Sequence, residues 1–372
     1  MQYNILVINP GSTSEDIGYY RGENAVFEET LRYAPAELDK MTTLPLSQQK
    51  PLRKDSILKK LKDHNVDLAE IDAVIGRGGK LRPMTGGVYT VNDLMVEDLK
   101  NPEIVGTHPC NLGGILALEI AGLTKHAKSF IADPVVVDEF EPLARYTGIP
   151  EIERKSVFHA LNQKRVARKA AKELNRLYEE SNFIVVHAGG GITVGAHKNG
   201  RVVDVNNGYD GTGPITPQRA GTLPASDFLS MCFSGKYTKE ELSFKLHGKG
   251  GIFAYTGISD IKVLLEYAQN GVQPKDSKIK VSKEKAQELI DAMIYTVSKE
   301  IGSMAVVLKG KIDAVVLTGG LAHSDYFTQR VKEYTSFLTD RFFIFKGGDE
   351  KAALRESAQA ALEHPEIIKI YK

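Results

Sequence analysis

Residues 4–20 read NILVINPGSTSEDIGYY. The run Ile5-Leu6-Val7-Ile8 has the signature of a buried strand, and it breaks into Asn-Pro-Gly and three hydroxyl residues. Two acids follow, Glu15 and Asp16, before apolar sequence resumes as IGYY. A dinucleotide-binding loop would lead from its glycines into a helix. Here the turn leads into a second strand, RGE turns again, and NAVFEET continues as a third. The first glycine turn therefore belongs to a β-hairpin.

The second half of the chain repeats this pattern. Residues 182–205, NFIVVHAGGGITVGAHKNGRVVDV, give strand, glycine-rich turn, strand, a Lys-Asn-Gly hairpin turn, and strand. IDAVIGRGG (71–79) and IDAVVLTGG (312–320) form a second echo, each after a helix-like stretch. The repeat is far too long for a solenoid unit. It reads as duplication of one α/β plan into two lobes, which normally leaves a cleft between them. Residues 111–127 and 159–180 read as further helices. The second carries Lys164, Arg165, Arg168, Lys169 and Lys172, read as a solvated basic face rather than a nucleic-acid surface.

The bulk properties narrow the function classes. The chain has 372 residues, 42% hydrophobic and 26% charged, as in soluble globular proteins of one large or two ordinary domains. A formal net charge of +1 gives no global field for nucleic acid or anionic membrane. Two cysteines, Cys110 and Cys232, make neither a disulfide framework nor a zinc site. With no signal segment ahead of the first strand and no spanning apolar run, a cytoplasmic location is expected.

Three glycine-rich turns end buried strands: NPGSTS, HAGGG and LTGGLAHSD. Glycines let backbone N–H groups approach phosphate oxygens, and hydroxyls add donors; ordinary hairpins use glycine too. The ordered set INPGSTS, GRGG, GGVYTV, THPCNLGG, ADPVVVDE, FHALNQK, VVHAGGGI, DVNN, DGTGPITPQRAGTLP and LTGGLA resembles the acetokinase family nearly end to end. Within it the similarity is greatest to the butyrate and branched-chain carboxylate kinases. The resemblance implies two duplicated actin/sugar-kinase-like (ribonuclease H-like) α/β lobes with an interlobe nucleotide cleft. The first lobe would take residues 1–150 plus the C-terminal helix at about 355–372, and the second, nucleotide-binding lobe residues 151–354. It further implies ATP/ADP and Mg2+ as cofactors, a short-chain carboxylate and an acyl phosphate as substrates, and a homodimer or higher homo-oligomer.

The implied chemistry suits the residues. A carboxylate is already ionised at pH 7 and needs no general base. It needs relief from repulsion by the γ-phosphate, in-line positioning, and cover for charge on the transferring group. By resemblance, Arg77 grips the carboxylate or the transferring phosphoryl, His187 donates to that phosphoryl, and Arg219 is the second arginine. His108 and His159 match family histidines, and Asn9 supports the phosphoryl site. Asp133 and Glu350 would hold Mg2+; Ser12 and Ser14 would donate to phosphate. Gly189, Gly190, Gly191, Gly319, Gly320 and Leu321 would line the nucleotide. Val88, Pro134 and Val135 are candidate walls for the acyl chain. Each also has an ordinary reading: Arg77 as a turn arginine, His187 as a structural strand-end residue, His159 as a helix-start residue satisfied by backbone, Asp133 as a turn cap.

The opening stretch departs from the family. Relatives carry lysine where this chain has Asp16, so a cation near phosphates becomes an anion. Lys80, Thr212, Gln218 and Ala352 are further departures, and Lys80 could replace the missing cation. Besides butyrate kinase activity, the alternatives are the same reaction on isobutyrate, propionate or acetate, and a nucleotide-binding pseudokinase without turnover.

Overall fold

The computed structural model describes residues 2–11, 14–33, 46–106, 108–209, 211–275 and 278–372. The chain forms two compact units, Met1–Asp138 with Asp349–Lys372, and Glu139–Gly348.

In the first unit, β1 (Asn4–Pro10), β2 (Ser14–Arg21) and β3 (Asn24–Arg32) form an antiparallel meander. β4 (Ala73–Arg77) adds parallel to β1, and later β6 (Lys128–Ala132) parallel to β4. β5 (Val88–Thr90) and the short β12 (Lys369–Ile370) complete the order β12-β5-β6-β4-β1-β2-β3. Ile5 to Ile8 are all fully buried. Four apolar residues in a row, rather than alternation, are what a strand covered on both faces requires. Leu6 and Ile8 join a core with Ile57 and Leu61 of helix Leu46–Asp63 and with Ile115, Leu116 and Ile120 of helix Leu112–Ala121. Helix Glu350–Glu363 also packs against β1, β4 and β6.

The second unit repeats the plan in its own residues. β7 (Asn182–Ala188), β8 (Ile192–Lys198) and β9 (Arg201–Val205) form the meander. β10 (Ala314–Gly319) and β11 (Phe342–Lys346) extend it in parallel, in the order β11-β10-β7-β8-β9. The Lys-Asn-Gly turn has positive φ at Asn199 (48°) and Gly200 (79°), the geometry a tight two-residue hairpin needs. The long helix Lys283–Val307 buries Ile290, Met293, Ile294, Val297 and Ile301 in the core under β8.

The chain passes from one unit to the other at 138/139 and at 348/349, where boundaries near 150 and 354 were expected. Glu139 accepts from Lys164 and from the Val202 N–H, and the Glu141 N–H donates to the Val203 carbonyl, which ties this stretch to β9. At the second crossing, the Asp349 side chain accepts from the Ala352 N–H and so starts helix Glu350–Glu363.

Two expectations are corrected. The helix expected over 159–180 ends at Glu173; Asn175 turns left-handed (φ 53°), and a separate 3-10 turn covers Tyr178–Glu180. Its basic face is not uniformly solvated either. Lys164 lies on the row of Ala160 and Ala167, is 3% exposed, and pairs with buried Glu139 at 2.8 Å. Arg168, Lys169 and Lys172 are exposed. Among the described residues, no helix is long and apolar enough to cross a membrane.

Candidate active site

In the first unit, Arg77 ends β4 and its guanidinium donates to Glu350 Oε2. Asn9 Nδ2 donates to the same oxygen at 2.9 Å, and Arg77 also approaches Asn9 Oδ1 at 3.4 Å. Three residues expected to work together are thus one hydrogen-bonded group, although Arg77 and Glu350 are 273 positions apart. His108 starts the 3-10 turn Pro109–Asn111, with Nδ1 accepting from the Cys110 N–H. Burial, and then the charges of Lys80, Arg77 and Arg53, hold its pKa below the usual histidine value, so its ring is neutral at pH 7. Cys110 itself is buried, and burial pushes its thiol pKa up, which makes it a poor nucleophile.

Asp133 follows β6 in the left-handed region (φ 36°), is 2% exposed, and is clamped to Gly87. Its Oδ1 accepts from the Gly87 N–H at 2.7 Å, and its own N–H donates to the Gly87 carbonyl. Val88 pairs with Ala132 across β5 and β6, so Val88, Pro134 and Val135 gather at this same end of the sheet. Among the described residues there is no group of three or more His, Cys, Asp or Glu side chains that could hold a metal. Asp133 and Glu350 offer hard carboxylate oxygens. One or two such carboxylates, completed by phosphate oxygens and water, are what Mg2+ takes, so the donor set fits that ion.

The stretch after the first glycine turn differs from its sequence reading. β2 begins at Ser14, so Glu15 lies inside a strand and is fully buried. Burial pushes its pKa up to about 7, against the pull of Arg53 and of the hydrogen bond from Tyr33. Arg53, fully buried in helix Leu46–Asp63, donates to the Gly11 carbonyl at 3.1 Å. A cation therefore sits against the first glycine turn, supplied by a residue that no motif flagged. Asp16 stands opposite Asn9 in the β1–β2 register and accepts from Thr30 at 2.5 Å. Ser12 lies outside the described residues.

In the second unit, His187 sits near the end of β7 and His159 just before helix Ala160–Glu173. Their rings stack, with centroids 3.8 Å apart and planes 6° from parallel. His159 makes no side-chain cap; its Nδ1 bonds Thr193 Oγ1 at 2.9 Å. His187 Nδ1 meets the Asn162 amide at 2.8 Å. Asn162, in the motif FHALNQK, and Thr193 belong to this site, and no residue type on its own marked them out.

The second glycine turn is fused to the PQRAG loop. Thr216 donates to the Gly190 carbonyl at 2.9 Å and accepts from the Arg219 N–H at 2.9 Å. Arg219 donates to the Gly208 carbonyl, and its burial lowers its pKa. A side chain at Gly191 would overlap its guanidinium. Gly319, with φ 91°, brings the end of β10 against Ala188. A cavity of about 500 Å3 opens beside these turns, lined by Gly189, Gly190, Pro217, Asp260, Gly320 and Leu321 among others. Gly191 and Gly319 stand outside its lining. Thr212 accepts from the Asn207 N–H at 2.8 Å, a structural bond that needs no acid.

Comparison with known proteins decides the family. The Acetokinase family profile matches residues 147–336, more than half of the chain. A relative in Elusimicrobium minutum (strain Pei191), described as a probable butyrate kinase, is 60% identical over 373 residues and covers all of both chains. The chain belongs to the acetokinase family. It is accordingly a carboxylate kinase, a phosphotransferase with a carboxyl group as acceptor. Solved structures agree on the fold. An acetate kinase from Porphyromonas gingivalis superposes with a TM-score of 0.78 at 18% identity, covering 97% of this chain and 100% of that one. A propionate kinase from Francisella tularensis subsp. tularensis SCHU S4 gives 0.70 at 17% identity, covering 95% and 98%. The duplicated strands of this acetokinase-family chain foretold two α/β units, and the family resemblance implied their actin-like fold.

Proposed function

We propose that the protein is a butyrate kinase, catalysing butyrate + ATP = butanoyl phosphate + ADP by direct in-line attack of the carboxylate on the γ-phosphoryl. The full-length 60% identity to a probable butyrate kinase carries this reading. Each unit carries chemistry that this reading uses. Arg77 already binds a carboxylate, that of Glu350, and so offers the geometry a substrate carboxylate needs. Asn9 accepts from it, and His108, kept neutral, lies within reach of its charge. In the second unit, His187, His159 and Arg219 serve the transferring phosphoryl group, and the cavity beside Gly189, Gly190, Gly320 and Leu321 takes the nucleotide. Asp133 and Glu350 would hold Mg2+, which neutralises charge on the phosphate oxygens. No residue is required as a base, because the nucleophile arrives ionised.

One methylene changes binding by only about 1–3 kcal/mol, so chain length is a matter for assay. Purified protein with ATP, Mg2+ and acetate, propionate, butyrate or isobutyrate, with acyl phosphate trapped as hydroxamate, tests the reading. A maximum at butyrate supports it. A maximum at another acid moves the protein elsewhere in the family. Folded protein that binds ATP yet acts on no acid would be the pseudokinase.

A further inference from the structure

Resting on the kinase reading for its purpose, but not for its test, we propose that two buried hydrogen-bond chains are positioning devices. One runs Tyr178–His197–Gln163–Thr193–His159; the other runs Gly347–Thr318–Asn162–His187. Together they fix the ring hydrogen of both stacked histidines on Nε2, so that the pair presents two N–H donors in nearly parallel planes.

The direction of each chain follows from which groups can only donate or only accept. In the first, Gln163 Nε2 reaches the backbone carbonyl of Thr193 at 3.0 Å, which can only accept. That orients the amide and leaves Gln163 Oε1 to accept from His197 Nε2–H at 3.0 Å. His197 is fully buried and neutral, since burial and then Lys164 and Arg168 hold its pKa well below the usual value. Its Nδ1 therefore accepts from the Tyr178 hydroxyl at 2.8 Å. Gln163 Nε2 also donates to Thr193 Oγ1 at 2.8 Å. The Thr193 hydroxyl hydrogen then needs an acceptor. Thr193 is fully buried, and the acceptor within reach is His159 Nδ1 at 2.9 Å. Leaving that buried hydrogen unbonded would forfeit its hydration with nothing in return. His159 Nδ1 is thus a lone pair, and the ring hydrogen is on Nε2.

The second chain gives the same answer. The Thr318 hydroxyl donates to the Gly347 carbonyl at 2.8 Å, so its oxygen offers lone pairs only. Asn162 Nδ2 donates to that oxygen at 3.2 Å, which orients this amide; turned over, its oxygen would face a Thr318 oxygen with no hydrogen to give, so the amide stays this way although its buried Oδ1 has no partner among the described residues. The same Nδ2 meets His187 Nδ1 at 2.8 Å, so His187 Nδ1 accepts and its hydrogen is on Nε2. The sequence makes room for this arrangement: a Cβ at Gly195 would lie 2.6 Å from Gln163 Oε1 and 3.3 Å from His197 Nε2.

Histidine-selective 15N labelling with two-bond proton–nitrogen correlation reads the tautomers directly and needs no turnover. His159 and His187 signals are assigned by His159→Gln and His187→Gln. Both rings are expected with hydrogen on Nε2. Asn162→Asp, which replaces the donor by an acceptor, moves the His187 hydrogen to Nδ1. Thr193→Val releases His159 into a tautomer mixture. It also lowers kcat by about 10-fold, the scale seen when a histidine ligand loses its outer partner, with KM values held within about twofold. Thr193→Ser restores both readouts. Hydrogen on Nδ1 of either ring in the parent protein overturns the proposal. So does a Thr193→Val protein whose His159 signal and kcat are unchanged. An inactive parent would refute the kinase reading alone, and the tautomer signals would still decide this one.

Discussion

Arg77 donates to the carboxylate of Glu350, so the end of the fourth strand and the start of the C-terminal helix share one ion pair. The guanidinium is thereby anchored by a carboxylate of its own unit. Arg77→Ala is expected to lower kcat by about 10²–10³-fold in the hydroxamate assay, the loss typical of one transition-state donor. Arg77→Lys is expected to recover little, because an ammonium lacks the planar fork with which a guanidinium grips a carboxylate or phosphoryl group.

Glu15 gives a prediction with a pH sign. Its folded pKa of about 7 lies above the ordinary value of 4.5, so the folded protein holds this proton more tightly than the unfolded chain does. Stability from this group is present below pH 4.5 and is lost as pH rises to about 7. Glu15→Gln, which mimics the protonated form, is expected to match the parent near pH 5. By pH 8 it should exceed the parent by about 1–3 kcal/mol in urea unfolding. An advantage that is the same at both pH values would contradict the assignment.

Gly191 and Gly319 separate a site effect from a folding effect. At Gly191 an added methyl meets the tip of Arg219, a side chain that can shift. Gly191→Ala is expected to keep its melting temperature within a few degrees and to lose at least about 10-fold in kcat. At Gly319 the methyl meets the Ala188 backbone in a left-handed conformation. Gly319→Ala is expected to cost about 1–3 kcal/mol of stability. Thermal melts beside the activity assay check both.

The buried Lys164–Glu139 pair should behave asymmetrically. Lys164→Met strands a buried carboxylate and is expected to cost about 3–5 kcal/mol. Adding Glu139→Gln removes the stranded charge and keeps an acceptor for the Val202 N–H, so the double variant should regain part of the loss. A double-mutant cycle in urea measures the difference.

The meander strands and the duplication were legible because they rest on period and punctuation: Ile5 to Ile8, the Asn199-Gly200 turn, the paired Ile-Asp-Ala-Val openings. The grouping of Asn9, Arg77 and Glu350 was legible only through the family resemblance, since nothing local joins positions so distant. Lys164 was misread because charge suggests solvent, and its partner Glu139 lies 25 residues away. Arg53 and Thr193 carried no signal at all. An arginine in a polar helix and a threonine in a strand are ordinary, and only tertiary burial sets one against the first glycine turn and the other against His159.

The discontinuity of the first unit has a consequence for synthesis. Residues 139–348 are contiguous and can form their core as soon as they leave the ribosome. The first unit emerges earlier but waits for residues 349–372, roughly 10–40 s at ordinary elongation rates. Until then the sheet surface of β1, β4 and β6 that helix Glu350–Glu363 will cover stays bare, and Arg77 lacks its carboxylate. The first unit, begun earlier, is thus the last of the two to receive all of its residues.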